Sequence, residues 1–203
     1  MAVDNYSDKT GKKRKLYWSD RLYLAYLRDI AFWIVGIILA YSLLFRVVTV
    51  SGPSMNTTLV HGDCLLLMGN TLSGDPEYGD IIVASKKSFE NGTPIIKRVI
   101  ATEGQTVDID FQTGTVYVDG IALQESYISS PTTRSEGVVF PLTVDEGCIF
   151  VMGDNRDVSK DGRSPDIGLI DKREVLGKAI FLIFPGNNDG KQERNFSRIG
   201  VLK

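Results

Sequence analysis

Ile95-Ile96-Lys97-Arg98-Val99-Ile100-Ala101 sets two adjacent cations inside an apolar, largely β-branched run. Branched side chains lose rotamer freedom in a helix and pack well on a pleated surface, so the run predicts a strand. Working outward, short runs of the same kind recur at 64–68, 80–84, 106–109, 115–118, 147–152 and 178–184, punctuated by Gly, Asp, Asn and Pro. That rhythm predicts a mainly β chain, an antiparallel sheet or barrel. Within Thr115-Val116-Tyr117-Val118-Asp119-Gly120-Ile121-Ala122-Leu123 the Asp-Gly pair lies between alternating arms, the signature of a two-residue hairpin, and a smaller lobe is expected around 104–146. One short helix is expected over 171–176, capped by Asp171 and ended by Gly177.

The amino-terminal part follows another pattern. From Ile30 to Phe45 the only side chains that can hydrogen-bond are Trp33, Tyr41 and Ser42, too few for the polar face of a core helix. Sixteen residues rise about 24 Å as a helix, short of the roughly 30 Å of a bilayer's hydrocarbon. Arg46 can snorkel while Val47, Val48 and Val50 extend the apolar surface, and Tyr17, Trp18, Tyr23 and Tyr26 suit the opposite interface. The whole chain carries a formal net charge of -2, yet Lys9, Lys12, Lys13, Arg14, Lys15, Arg21 and Arg28 gather ahead of the run. Under the positive-inside rule that flank stays cytoplasmic. The expected organisation is a basic cytoplasmic tail and interfacial segment at 1–29, a transmembrane helix at 30–47 and an extracytoplasmic β-rich domain at 48–203. A cleavable leader fits less well, because no small-x-small site follows Phe45. The second apolar run, 179–184, is too short to span, so a single pass is expected.

With 203 residues, 43% of them hydrophobic, the chain can bury one sizeable core. Cys64 and Cys148 form no Cys-x-x-Cys pair, and His61 is the single histidine, so neither a metal site nor a cofactor is expected; whether the cysteines pair stays open. No nucleic-acid partner is expected either.

Ser54, in Val50-Ser51-Gly52-Pro53-Ser54-Met55, stands nine residues beyond the apolar run, where a nucleophile would need a membrane-borne substrate. A serine hydroxyl reacts only when a nearby base takes its proton. His61, in Leu59-Val60-His61-Gly62-Asp63, reads as an exposed turn residue too close along the chain to serve. Lys97 is the alternative, because Ile95, Ile96, Val99 and Ile100 would keep it dry. Lowering a lysine pKa by about 2 from its usual value near 10.4 costs about 2.7 kcal/mol, within what burial imposes. The residues alone leave open a second reading, in which Lys97 and Arg98 are charges on a solvated strand.

Gly52-Pro53-Ser54-Met55-Asn56-Thr57-Thr58-Leu59, Tyr78-Gly79-Asp80-Ile81-Ile82-Val83, Lys97-Arg98-Val99-Ile100-Ala101-Thr102-Glu103-Gly104 and Gly153-Asp154-Asn155-Arg156-Asp157-Val158-Ser159-Lys160-Asp161-Gly162-Arg163 resemble, in order, four sequence boxes of the type I signal peptidases, with Gly177-Lys178-Ala179 like their closing element. Together they cover roughly residues 28–200 and are more like Gram-positive members. The resemblance implies a membrane-bound serine endopeptidase that removes signal peptides from exported preproteins. Ser54 would be the nucleophile and Lys97 the general base, with Ser159 hydrogen-bonding the Lys97 amine. Asp161 and Arg163 would form a supporting ion pair, and Asp154, Asn155 and Arg156 would shape their loop. Gly52 stands where many members place a serine, so the oxyanion would rely on backbone N–H groups at Gly52 and Ser54. Val50, Met55, Leu59, Ile95 and Ile96 would line pockets for small residues at the first and third positions before the scissile bond; each of them equally fits plain core packing. Besides preproteins, membrane lipids are the implied partners. Two other functions fit the pattern, a catalytically idle membrane scaffold of the same fold and a self-cleaving repressor-type protease. The latter needs a DNA-binding module where residues 30–45 offer a bilayer span.

Overall fold

The structure, a computed structural model, describes residues 6–7, 13–14, 18–87, 89–187 and 194–202. Lys9, Lys12, Lys15 and Tyr17 of the expected tail lie outside them. The chain divides into two compact units, Met1–Leu43 and Leu44–Lys203.

In the first unit, β1 (Tyr6–Ser7) and β2 (Lys13–Arg14) pair antiparallel, and α1 (Trp18–Leu44) follows. Within α1 the stretch Arg21–Ser42 is long and apolar enough to cross a membrane. Its large side chains stand exposed all round, Trp33 at 75% and Phe32 at 69%, so no packed core accounts for its composition. The expected helix at 30–47 has the wrong bounds. It starts at Trp18, and it ends at Leu44 because the β-branched residues that follow are drawn into β3 (Phe45–Thr49), which pairs with β4 (Cys64–Met68) from Phe45↔Met68 to Thr49↔Cys64. Val47 and Val48 therefore belong to a strand and not to the helix.

The second unit continues through a four-residue helix α2 (Asn70–Ser73), β5 (Ile81–Ala84), β6 (Ile95–Thr102), β7 (Thr106–Asp110), β8 (Thr115–Val118), β9 (Ile121–Ala122), β10 (Leu142–Thr143), β11 (Cys148–Met152), β12 (Ile170–Asp171), β13 (Val175–Phe184) and β14 (Gly200–Val201). It is mainly β and antiparallel throughout, as the sequence predicts. The large sheet runs β12-β11-β6-β5-β13-β4-β3, with β14 also on β13; the small one runs β10-β7-β8-β9. The Asp119-Gly120 hairpin forms, both residues taking the positive φ that a tight turn of this kind demands, 52° and 78°. Register shifts in β11 and β13 bend both strands.

No helix spans 171–176. Asp171 does cap a turn, accepting from Arg173 N while Glu174 returns the bond, but it is a three-residue 3-10 turn, and Val175 already enters β13. Gly177 lies inside that strand, where a Cβ would come within 2.5 Å of Met68 O, so the glycine serves close strand packing and not helix termination.

Three apolar clusters hold the unit together. One packs the 50–59 loop (Val50, Met55, Leu59) on Leu65, Leu67, Ile81 and Val83; a second joins Ile82, Val99, Ile149, Val151 and Ile170; the third seats the small sheet, through Val107 and Val116, on Ile100, Phe150 and Met152. Strand β6 runs past all three, so a side chain on it has a dry interior on either face.

Candidate active site

Period-two alternation sends Lys97 and Arg98 to different surroundings. Lys97, 4% exposed, brings its Nζ to 2.8 Å from Ser54 Oγ. Burial is the main cause that lowers its pKa from 10.5 to about 8, with Arg163 assisting and the carboxylates of Asp161, Glu136 and Asp154 opposing. The solvated-strand alternative is excluded for both cations. Arg98, 2% exposed, makes a two-pronged pair with Asp154, 2.9 Å through Nε and 2.8 Å through Nη2, donates to Gly79 O and lies 4.1 Å over the Tyr127 ring.

Ser54 is held by the loop after β11. Asn155 N donates to Ser54 O at 3.0 Å and Asn155 Nδ2 to Pro53 O at 3.1 Å, while Thr58 donates to Asp154 at 2.5 Å. Gly153 permits this approach, for a Cβ there would fall 2.5 Å from Ser54 O and 2.2 Å from Ser159 Oγ. The other end of the 50–63 loop is pinned by Asp63, which has no exposure and which sequence reasoning did not single out. It accepts from Val60 N, Gly186 N and both terminal nitrogens of Arg198, whose Nη2 also donates to Thr58 O. Its sequence signal was the Gly-Asp pair directly before a strand.

Asp161 and Arg163, both without exposure, form the expected ion pair at 2.9 Å, and Asp161 also accepts from Gly153 N. Arg156 is structural, its guanidinium clamped by Glu125, Thr132 and Gly153 O. Nothing in the sequence pointed to Glu125, some thirty positions distant.

Three expectations need correction. Ser159 does not hydrogen-bond Lys97: its Oγ is buried without a partner and lies against Gly153, because Arg163 and Asn155 hold its backbone. Gly52 N–H is not free for an oxyanion, since it donates to Nδ1 of the exposed His61 at 3.3 Å; the Ser54 N–H has no such partner among the described residues. Leu59 lines no groove, because it has no exposure and sits within the first apolar cluster.

The groove beside Ser54 and Lys97, about 500 Å³, is lined by Val50, Met55, Ile95 and Ile96 as expected, and also by Val48, Thr49, Ser51, Val83, Thr93 and Pro94. Along it, residues 95–97 of β6 pair with β5 only, because the ladder to β11 begins at Arg98. That leaves a stretch of strand edge open next to the serine. A hydroxyl within hydrogen-bond reach of a dry amine, beside an open edge and a shallow apolar groove, can support acyl transfer on an extended peptide.

Comparison with known proteins points to one family. The family model for signal peptidase, peptidase S26, matches residues 23–184. Signal peptidase I of Bacillus licheniformis is 33% identical over 193 residues, 91% of this chain and 97% of its own length. Probable signal peptidase I-1 of Synechocystis is 36% identical over 173 residues, 80% of this chain and 85% of its own. A crystal structure of a signal peptidase I from Enterococcus faecalis is 32% identical and covers 51% of this chain and 95% of its own, with a TM-score of 0.43.

Proposed function

The chain belongs to the signal peptidase family, peptidase S26, and on that premise we propose that Ser54 and Lys97 are the dyad with which it cleaves signal peptides from preproteins. The family's activity makes it a serine endopeptidase, a hydrolase. The observation that carries the dyad is the 2.8 Å approach of a 4%-exposed lysine nitrogen to the serine oxygen.

In this reading the neutral Lys97 amine takes the proton of Ser54 Oγ as that oxygen attacks the scissile carbonyl carbon. The Ser54 N–H faces the negative charge that develops on the carbonyl oxygen. Collapse expels the amine of the mature protein, which leaves with the proton carried by Lys97, and Ser54 is left acylated. Lys97 then takes a proton from water, which attacks the ester carbonyl; as the acyl–oxygen bond breaks, Lys97 returns that proton to Ser54 Oγ and the signal peptide is released. Asp161 and Arg163 hold the 153–163 loop in place, and Ser159 packs against Gly153 as part of its wall.

The preprotein adds as a strand along residues 95–97, and its small residues at the first and third positions before the cut occupy the groove of Val50, Met55, Ile95 and Ile96. Residues 48–203 form the peptidase domain, with a smaller lobe around 104–146. The Arg21–Ser42 stretch crosses the cell membrane once, its basic flank on the cytoplasmic side and its lipid contacts all round, which puts the peptidase where exported chains emerge.

Processing of a preprotein by the full chain in detergent, beside Ser54→Ala and Lys97→Ala, tests the dyad. Each variant should lose on the order of 10³-fold or more in rate. Full rates in both would end the reading in favour of another nucleophile and base.

A further inference from the structure

Ser54 opens a turn that Thr58 closes. Asn56 N donates to Pro53 O at 3.1 Å and Leu59 N to Met55 O at 2.8 Å, so residues 53–59 form one tight piece of backbone. Asn155 holds its first residues, through Ser54 O and Pro53 O. At the other end Thr58 lies between two ion pairs. Its hydroxyl donates at 2.5 Å to Asp154, the partner of Arg98, which follows the base directly in β6. Its carbonyl accepts at 3.0 Å from Nη2 of Arg198, 140 positions away. The same guanidinium forks onto the unexposed Asp63, 2.9 Å from Nη1 to Oδ1 and 2.7 Å from Nη2 to Oδ2. Asp63 in turn closes the loop, since its carbonyl accepts from Val50 N at 2.8 Å. One cation therefore grips both the end of the nucleophile's turn and the base of its loop.

Arg198 reaches them from a fixed platform. It ends the 3-10 turn Phe196–Arg198, which Asn195 caps by accepting from Ser197 N at 3.1 Å and Ser197 Oγ at 2.6 Å. Phe196 meets Phe184 edge to face, ring centroids 5.7 Å apart. Directly after the turn, β14 pairs with β13, and Leu202 packs on the apolar cluster of Val50, Met55 and Leu59. We propose that Arg198 is a positioning residue for the nucleophile, fixing the 53–59 turn so that Ser54 Oγ stays within reach of Lys97 Nζ. The inference rests on the Ser54–Lys97 reading.

Nothing in the acyl-transfer steps uses Arg198 directly; its effect passes through backbone. Proton transfer from the serine needs a short hydrogen bond, and the 2.8 Å between Oγ and Nζ leaves little slack. Misplacing a reacting group by about 1 Å can cost about a hundredfold in rate. Without the guanidinium, Thr58 O loses its donor and Asp63 its counter-charge, and the turn can pivot about the end that Asn155 holds. The strand edge at 95–97 belongs to β6 and does not depend on Arg198, so the extended peptide keeps its main docking edge while the hydroxyl drifts from the amine.

The test is preprotein processing by the full chain in detergent for wild type, Arg198→Ala and Arg198→Lys. Rates are expressed per folded molecule from circular dichroism, and each protein's thermal midpoint is measured. Arg198→Ala strands the buried Asp63 carboxylate and should melt below wild type, with kcat lower by about tenfold to a hundredfold. Arg198→Lys keeps a positive charge beside Asp63, but a point charge cannot reproduce the fork that also holds Thr58 O. It should melt close to wild type and still lose about tenfold in kcat, with KM within about twofold. A merely structural Arg198 would change midpoints and leave kcat per folded molecule alone, so a wild-type kcat in either variant would overturn the proposal. Should Arg198→Ala fail to fold, the kcat of Arg198→Lys decides alone. Failure of the dyad itself would show differently, as an active Lys97→Ala.

Discussion

Replacing Lys97 by methionine should leave a dead enzyme that is more stable than the live one. In the unfolded chain the amine titrates near 10.5, in the folded protein near 8. At 1.36 kcal/mol per pH unit, that gap means the fold carries a penalty of about 3 kcal/mol for holding the charged lysine. The side chain is 4% exposed, so solvent screening removes little of it. Below pH 8 both states are protonated and the penalty is complete. Between pH 8 and 10.5 only the unfolded state holds the proton, so the penalty shrinks as pH rises, and above 10.5 it is gone. Methionine fills a similar volume without charge, and forfeits the bond to Ser54, worth about 1 kcal/mol. The expected net gain for Lys97→Met is therefore about 2 kcal/mol at pH 7, or about 4–8 °C in thermal midpoint for a chain of this size. It should vanish near pH 10, where lost penalty and lost hydrogen bond balance. Thermal unfolding of both full-length proteins in one detergent, followed by circular dichroism from pH 7 to 10.5, checks this. A difference that does not change with pH, or a variant less stable at pH 7, would refute the claim that burial lowers the pKa of the base.

The rate of wild-type processing should rise about tenfold from pH 7 to pH 9 along a limb set by Lys97, and His61→Ala should leave that limb in place; a limb that disappears in the variant would point to histidine instead. Leu59→Ala should cost about 2–5 kcal/mol of stability, measured by denaturant unfolding, and leave the preference for small residues at the cleavage site unchanged, because the side chain is core and not groove. Glu125→Ala should destabilise by about 3–5 kcal/mol by stranding the buried Arg156, a loss visible in the melting curve even where substrate binding is unaltered. Gly153→Ala should lower processing sharply, since its Cβ must push apart Ser54 O and Ser159 Oγ; normal activity would show that the loop can yield.

Where the sequence spoke through local preference, it spoke clearly. The Asp119-Gly120 hairpin, the β6 strand and the long apolar helix all follow from short-range sterics and periodicity, which any fold must respect. Predictions went astray where a distant segment competed. Residues 45–49 could extend a helix until β4 offers them a ladder, and 171–176 could coil until β13 claims Val175. Ser159, Leu59 and Gly52 carry side chains or N–H groups whose partners are fixed by packing across the loop, and no spacing along the chain encodes those contacts.

Composition and order alone therefore determined that this chain is an apolar helix followed by an antiparallel β domain, with a serine and a lysine in sequence boxes that suit one another. Only the tertiary structure decided that the amine is dry and 2.8 Å from the hydroxyl, and that Arg98 and Asp154 neutralise each other behind it. The reason is that a side chain's solvation and its electrostatic partners come from every element packed around it, whereas sequence pattern reports only the few residues nearest along the chain.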